Sequence, residues 1–401
     1  VFTFSLLLVS QFGKHFFFPF SYLSGIRIDY LAPTLYLTDI FSFPFIIVAI
    51  IQIYKHIVVI KKWIQNNSIL CLFIATLFIL NFVFSLSKPL WFYNFARLSQ
   101  CLFVFIYFYI SIKRKWLYSS FVWGLFLGGC IELILSLLQL SSRHSLQGVW
   151  YFLGERNFSI FTPGIAKAYF MGVEFLRPYG TFSHPNSLGG FYLLIYTFIL
   201  TQKRVTNIVF KRIFLIINSA LILISFSRGA IIAYVIINLL YYTRAVVTCK
   251  TCTLSKVIIG CILILFALNI SGDLNSLQKR TDFFEKSLSI ISKKPFTGTG
   301  VGSYLIAQHD YPQKFSTFFE QPVHNIFLLI MAQLGIPLSI LFVVLIYQKI
   351  RSFIKMQYFF LPLLSVLLTG VLDHYWITLQ QNLLVLVVIS GILWAAPKSK
   401  I

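Results

Sequence analysis

Three stretches of this 401-residue chain carry side chains whose types and spacing suit chemistry on a phosphorylated substrate. The first is Arg177-Pro-Tyr-Gly-Thr-Phe-Ser-His184-Pro-Asn186, which runs directly into an apolar segment through Gly189-Gly190. Arg177 offers a planar fork of donors that fits two phosphate oxygens at once. Alternatively, one of the two nearest acids, Glu155 or Glu174, neutralises it. His184-Pro185-Asn186 suits a helix start, with Asn as a strong N-cap and Pro fixing the entry angle, and contact with a ligand is its second possible use. The second stretch is Ser225-Phe-Ser-Arg228-Gly-Ala between two apolar segments. The third begins with the glycine-rich Pro295-Phe-Thr-Gly298-Thr-Gly300-Val-Gly302-Ser303 and continues to Pro322-Val-His324-Asn325. Glycines such as Gly300 can bring backbone N–H groups to a phosphate, or simply turn the chain, and no Walker loop is present. His324 carries an imidazole that can take a proton from a hydroxyl; taken alone, a His or Asn at a helix start is the commoner thing, a cap.

Other candidates are weaker. Asp373-His374 can orient a partner, touch substrate or face the interface. Glu132 falls inside an apolar segment, where a protonated carboxyl hydrogen-bonded within the protein is the simpler account. Cys249-Lys-Thr-Cys252 is a single CxxC without a second ligand pair, which does not make a zinc site. Asp29 and Asp39 could in principle hold a divalent metal, but nothing else completes such a site. No metal ligand cluster and no cofactor motif emerge.

The elements that must position these residues are membrane helices. The chain is 58% hydrophobic and 11% charged, with a mean hydropathy of +0.84. No soluble fold buries that much apolar surface, and the 44 Phe and 21 Tyr suit lipid-facing helices with aromatic belts. We expect an all-α, polytopic single membrane domain over 1–401 with about twelve spans. They fall near 1–20, 36–54, 68–86, 98–112, 116–140, 187–201, 213–227, 229–243, 257–270, 324–347, 358–376 and 379–396. The first has no positive n-region or cleavage site and reads as a retained span. Alternate connections carry 18 of the 33 basic residues and no acidic one, which puts them, and both termini, in the cytoplasm. The net charge of +22 is therefore topological, and no cytoplasmic domain exists to bind nucleic acid.

Two long connections, 141–186 and 271–323, then lie on the outer face. They are rich in aromatics, Gly and Pro, unlike disordered segments, and an interfacial helix is expected near 276–292. None of the six cysteines falls in them, so no disulfide framework is expected. Arg228 lies 16 residues from both Arg212 and Arg244, so each arm of that hairpin climbs roughly 24 Å towards a boundary about 30 Å away. This puts Arg228 just below the outer surface, in the bundle or a wet cavity with an anionic partner, or snorkelling to lipid phosphate.

The motifs R-P-Y-G-T-F-x-H-P-N, S-F-S-R-G-A and G-x-G-x-G-S followed by H-N-x-F-L-x-x-x-x-Q-L-G-I-P resemble those of the O-antigen ligase and polymerase (Wzy/WaaL-like) superfamily. The motifs cover about 141–345, and the twelve-span layout extends the resemblance over the whole chain. It implies a GT-C-type inner-membrane glycosyltransferase that takes a glycan from an undecaprenyl-pyrophosphate carrier and transfers it, without metal or cofactor, to an acceptor hydroxyl at the outer face. By this resemblance Arg177 and Arg228 hold the donor pyrophosphate and His324 activates the acceptor. His184, Asn186, Asn325, Gly300 and Asp373 are possible substrate contacts. The alternative is a transporter or flippase of a lipid-linked glycan, which calls for broken helices and charges near the midplane. Ligase, polymerase and protein O-glycosylation are not separated by any residue, nor are the acceptor and the oligomeric state.

Overall fold

The computed structural model describes every residue except 171, 245–249, 271–275, 313, 315–319, 355–359 and 396–401. The chain is mostly helical, as expected. In order come α1 (Phe2–Leu7), α2 (Leu37–Lys55), α3 (Ile57–Asn66), α4 (Ser68–Val83), α5 (Lys88–Ser111) and α6 (Lys115–Ser142). They are followed by α7 (Pro185–Thr201), α8 (Ile208–Ile224), α9 (Arg228–Arg244), α10 (Lys250–Asn269), α11 (Ser276–Lys293) and α12 (Tyr304–His309). The last are α13 (Ile326–Leu334), α14 (Ile336–Ile354), α15 (Leu361–Gly370), α16 (Tyr375–Thr378) and α17 (Gln380–Trp394). Among the described residues the strands form small antiparallel pairs: β1 (Gly13–His15) with β4 (Thr34–Tyr36), β2 (Tyr22–Leu23) with β3 (Ile26–Arg27), and β5 (Lys167–Phe170) with β6 (Val173–Leu176).

The chain divides into two compact units, one of residues 1–12, 112–276 and 350–401, the other of 13–111 and 277–349. In the first, α7 is the centre: every residue from Pro185 to Thr201 except Asn186 is buried. A helix apolar on all sides needs neighbours on all sides, and α8, α9, α15 and α17 supply them. Its Gly189 and Gly190 allow the closest approaches, since a Cβ would stand 2.6 Å from Ser225 Oγ and 2.1 Å from Tyr375 Oη, respectively. Beside this core α1 lies on α6, where a Cβ on Gly124 would stand 2.0 Å from Ser5 Oγ.

In the second unit α2 packs on α5, with Phe45 stacked on Tyr107 at 4.4 Å. Buried Asn81 ties it together, donating to the carbonyls of Thr297 and Gln333 and accepting from Trp91 Nε1.

By length and composition α2 and α6 can each cross a membrane, and α3 with α4 pass together but bend by 90° between them. Several expected spans are not single helices. Residues 1–20 hold the short α1 and then β1, because the apolar run stops at Ser10-Gln11-Phe12-Gly13 and Pro19 opens a 3-10 turn. The 324–347 segment breaks at Gly335 (φ 80°), whose Cβ would stand 2.4 Å from Phe296 O. The 358–376 segment ends at Gly370 and resumes only as the one-turn α16. The helix expected near 276–292 is α11. The CxxC at 249–252 lies partly outside the described residues.

Candidate functional site

In the first unit, four of the polar side chains singled out in the sequence fall on one line of hydrogen bonds. Arg177 leaves β6 and donates through Nε to the carbonyl of Ser225, the residue that ends α8, at 3.1 Å. Its Nη2 donates to Asn186 Oδ1 at 2.7 Å. Asn186 Nδ2 in turn donates to Asp373 Oδ2 at 2.9 Å, and Asp373 Oδ1 accepts the backbone N–H of His374 at 2.8 Å. His374 itself is buried, with Nδ1 2.8 Å from Thr378 Oγ1. Three segments far apart in sequence thus meet: the α6–α7 connection, the α8–α9 turn and the α15–α16 turn.

The start of α7 differs from expectation. His184, in extended backbone, is the N-cap, and its Nδ1 accepts the N–H of Asn186 at 3.1 Å with Pro185 at the first helical position. Because His184 caps the helix, Asn186 is released to bridge Arg177 and Asp373. Both acids considered for Arg177 have other partners. Glu155 is buried and accepts from Gln139 Nε2 and the N–H groups of Leu146 and Gln147. Glu174 joins Lys167 at 3.1 Å and Tyr169 at 2.5 Å across the β5–β6 hairpin, and the Tyr169 and Lys167 contacts hold its carboxyl below the usual range.

The Pro178–Phe182 turn is set by α6. Gln139 Oε1 accepts the N–H groups of Tyr179 (3.0 Å) and Gly180 (2.8 Å). Glu132 accepts from Thr181, N–H to Oε2 at 3.2 Å and hydroxyl to Oε1 at 2.6 Å. Gly180 has φ +57° and a Cβ there would stand 2.0 Å from Glu132 Oε2, so this position requires glycine. Burial pushes the Tyr179 phenol up, against the pull of Arg156 and Arg177 nearby. Glu132 is therefore a buried, hydrogen-bonded carboxyl that shapes the loop. Sequence reasoning passed over Gln139, although it lies seven residues beyond Glu132 on the same helix face, which was the available signal.

Arg228 was expected just below the outer surface, in the bundle or a wet cavity with an anionic partner, or snorkelling to lipid phosphate. It is exposed, and among the described residues no acid pairs with it. Phe226 takes a positive φ of 49° in the Ser225–Ser227 turn between α8 and α9, and Arg228 begins α9.

In the second unit, Asn325 caps α13 as anticipated, its Oδ1 accepting from Phe327 (2.9 Å) and Leu328 (3.1 Å). His324 is half-buried just before it, its ring 6.3 Å from that of Phe283 on α11. The glycine-rich stretch closes on protein. The N–H of Gly300 donates to Gln333 O and that of Gly302 to Gln333 Oε1, both at 3.1 Å, while Thr299 N–H takes Ala332 O at 2.8 Å. Positive φ at Gly298, Gly300 and Gly302 lets this segment cap the C-terminal end of α13, so these N–H groups face Gln333 and Ala332 rather than a phosphate.

The two early aspartates have separate partners. Asp29 pairs with Arg27 at 3.2 Å on the surface. Asp39 closes a capping box on α2 through Tyr36 N–H (2.8 Å) and accepts from Gln100 Nε2 (2.9 Å) on α5. Arg97, one turn before Gln100, lies over the rings of Tyr36 and Tyr93, a basic residue within an apolar helix that the sequence reading did not single out.

Residues 189–343 match the family model described as O-antigen ligase, a stretch that starts inside α7 and ends inside α14. No curated protein matches the chain. This match is to the same O-antigen ligase type of protein that the chain's motifs resemble, over rather more than a third of its length.

Proposed function

We propose that this chain is a membrane glycosyltransferase of the O-antigen ligase type, which moves a glycan from an undecaprenyl-pyrophosphate carrier to an acceptor hydroxyl at the outer face of the bacterial inner membrane. The observation that carries the reading is Arg228, an exposed guanidinium without an acidic partner among the described residues. It stands three residues from the Ser225 carbonyl that Arg177 holds. Arg177 is itself fixed at two donors by Ser225 and Asn186, so its charge is pre-oriented before substrate arrives.

The chemistry follows from that charge. The acceptor oxygen attacks the anomeric carbon while the bond from that carbon to the pyrophosphate oxygen breaks. The pyrophosphate leaves with the electron pair, and its growing negative charge is met by Arg228 and Arg177. Arg177, held through Nε and Nη2, needs no reorganisation to meet that charge. His324 takes the proton from the acceptor hydroxyl. No divalent ion is required in this scheme, because the arginines supply the positive charge. The substrate class, the outer-face location and membrane-lipid contact all belong to this proposal.

The test gives detergent-purified protein a farnesyl-pyrophosphate-linked oligosaccharide and a saccharide acceptor and follows acceptor mass. The expected result is an acceptor heavier by one glycan. Protein in vesicles that moves the intact donor across the bilayer, with no acceptor gaining mass, would establish transport instead.

A further inference from the structure

A second polar feature lies in the connection between α6 and α7, outside the hydrogen-bonded line through Arg177. Residues 143–145 pair antiparallel with 158–160, through Ser145 N–H to Phe158 O at 2.9 Å and Ile160 N–H to Arg143 O at 3.0 Å. Beside this pairing lies an open surface hollow of about 400 Å³ lined by His144, Ser145, Asn157, Phe158, Ser159 and Thr162. Cavities that hold small ligands begin at roughly 300 Å³.

The lining presents complementary groups on fixed backbone. His144 Nδ1 lies 2.7 Å from the Ser145 carbonyl, so Nδ1 is the donor there and Nε2 is left for a ligand. Asn157 Oδ1 takes the Ser145 hydroxyl at 3.4 Å, and its exposed Nδ2 has no partner among the described residues. Thr162 Oγ1 accepts the N–H of Ser159 at 2.9 Å, and Ser159 Oγ accepts that of Phe161 at 3.3 Å. The two hydroxyls also lie 3.4 Å apart, so one donates to the other and one keeps a proton to give. Donor, acceptor and hydroxyl groups around one small hollow match the alternating hydroxyls of a pyranose, and no charged side chain lines it.

The cavity is also tied to the start of α7. Arg156 precedes Asn157, is exposed, and donates from Nη1 to Ser183 O at 2.9 Å, the carbonyl next to the cap His184. The ring of His184 in turn lies 6.1 Å from that of Tyr179, two residues after Arg177. One arginine side chain thus spans from the hollow to the α7 end where Arg177 meets Asn186, and among the described residues no carboxylate pairs with it.

We infer that this cavity binds the sugar next to the pyrophosphate of the lipid-linked donor, an inference that rests on the donor reading above. The hollow then selects the carrier-proximal sugar while the arginines hold the phosphates.

The test measures binding of two probes to the full-length protein in detergent: farnesyl pyrophosphate, and the same lipid bearing one N-acetylglucosamine. Wild type binds the sugar-bearing probe about tenfold more tightly, which corresponds to about 1.4 kcal/mol. His144→Ala/Asn157→Ala abolishes this preference and leaves affinity for bare farnesyl pyrophosphate within about twofold, since only neutral hydrogen bonds are lost. Asn157→Asp, which keeps the size and the acceptor but not the donor, removes about threefold of the preference. A wild type without preference, a double variant that keeps it, or a double variant that loses both probes equally would each overturn the inference. Arg228→Gln weakens both probes alike if the donor reading holds. Unchanged binding of both by that variant overturns the donor reading by itself.

Discussion

Asn186 is the joint of the charged line, and its amide can be tested by exchanging it with the carboxylate it meets. Its Oδ1 takes Arg177 Nη2 at 2.7 Å and its Nδ2 gives to Asp373 Oδ2 at 2.9 Å, so both bonds involve a charged group. Bonds of this kind contribute about 1.5–3 kcal/mol each. Asn186→Asp keeps the first and loses the second, and it sets two carboxylates against each other at 2.9 Å. Arg177 offsets part of that repulsion, which leaves a loss of about 2–3 kcal/mol. Asp373→Asn alone breaks the same pair from the other side, because two amides meet without the carboxylate, at a cost of about 1–2 kcal/mol. The double variant Asn186→Asp/Asp373→Asn restores the arrangement in reverse. The amide now carried at position 373 donates to the carboxylate now carried at position 186. That carboxylate still accepts from Arg177, and the amide oxygen still takes the His374 N–H. The assay is thermal unfolding of the purified protein by tryptophan fluorescence, run beside glycan transfer. Recovery of about 2 kcal/mol or more in the double variant is expected, well outside the additivity of independent sites. A double variant as unstable as the sum of its singles would show that Asn186 and Asp373 do not act as a pair.

Further predictions concern the loop, the metal requirement and the orientation. Gly180→Ala forces a side chain into φ +57° and against Glu132 Oε2. The backbone cost of roughly 1–2 kcal/mol adds to disturbed buried hydrogen bonds, about 3 kcal/mol in all. The unfolding midpoint should fall by about 3–4 °C, and an unchanged midpoint would refute the contact. Transfer should proceed in excess EDTA at the untreated rate, whereas loss restored by magnesium would show that a divalent ion supplies the charge assigned to the arginines. Phe161→Cys and Phe296→Cys, at positions 89% and 73% exposed, should react with an impermeant maleimide added outside spheroplasts, and labelling only after lysis would reverse the orientation.

Much of the site was legible because its parts are local. Asn325 caps α13 through its own next turn, and α11 announced itself by helical spacing of apolar residues. The R-P-Y-G-T-F-x-H-P-N segment was recognisable because Gly180 and Pro185 have few substitutes. What the sequence did not show depends on partners far along the chain. His184 rather than Asn186 caps α7, because Asn186 has stronger claims from Arg177 and Asp373, 187 residues away in the second case. The turn before Arg228 was not legible either, since nothing in Ser225-Phe-Ser-Arg announces a positive φ at a non-glycine residue. Between a phosphate contact and a turn, the two uses open to Gly300, the sequence offers no choice, because a glycine's N–H carries no sign of its acceptor, here Gln333 on α13.

The central claim is that Arg228 holds the departing pyrophosphate and His324 the acceptor proton, and one kinetic comparison tests it most directly. Wild type, Arg228→Gln and His324→Ala are assayed for prenyl pyrophosphate release at varied donor concentration. Loss of a general base costs about 10²–10⁴-fold in kcat, so His324→Ala should lose kcat by that order with donor binding intact. Arg228→Gln should lose donor affinity as well as rate, because it touches charge in both ground and transition states. Variants that release prenyl pyrophosphate as fast as wild type, with unchanged donor affinity, would contradict the account.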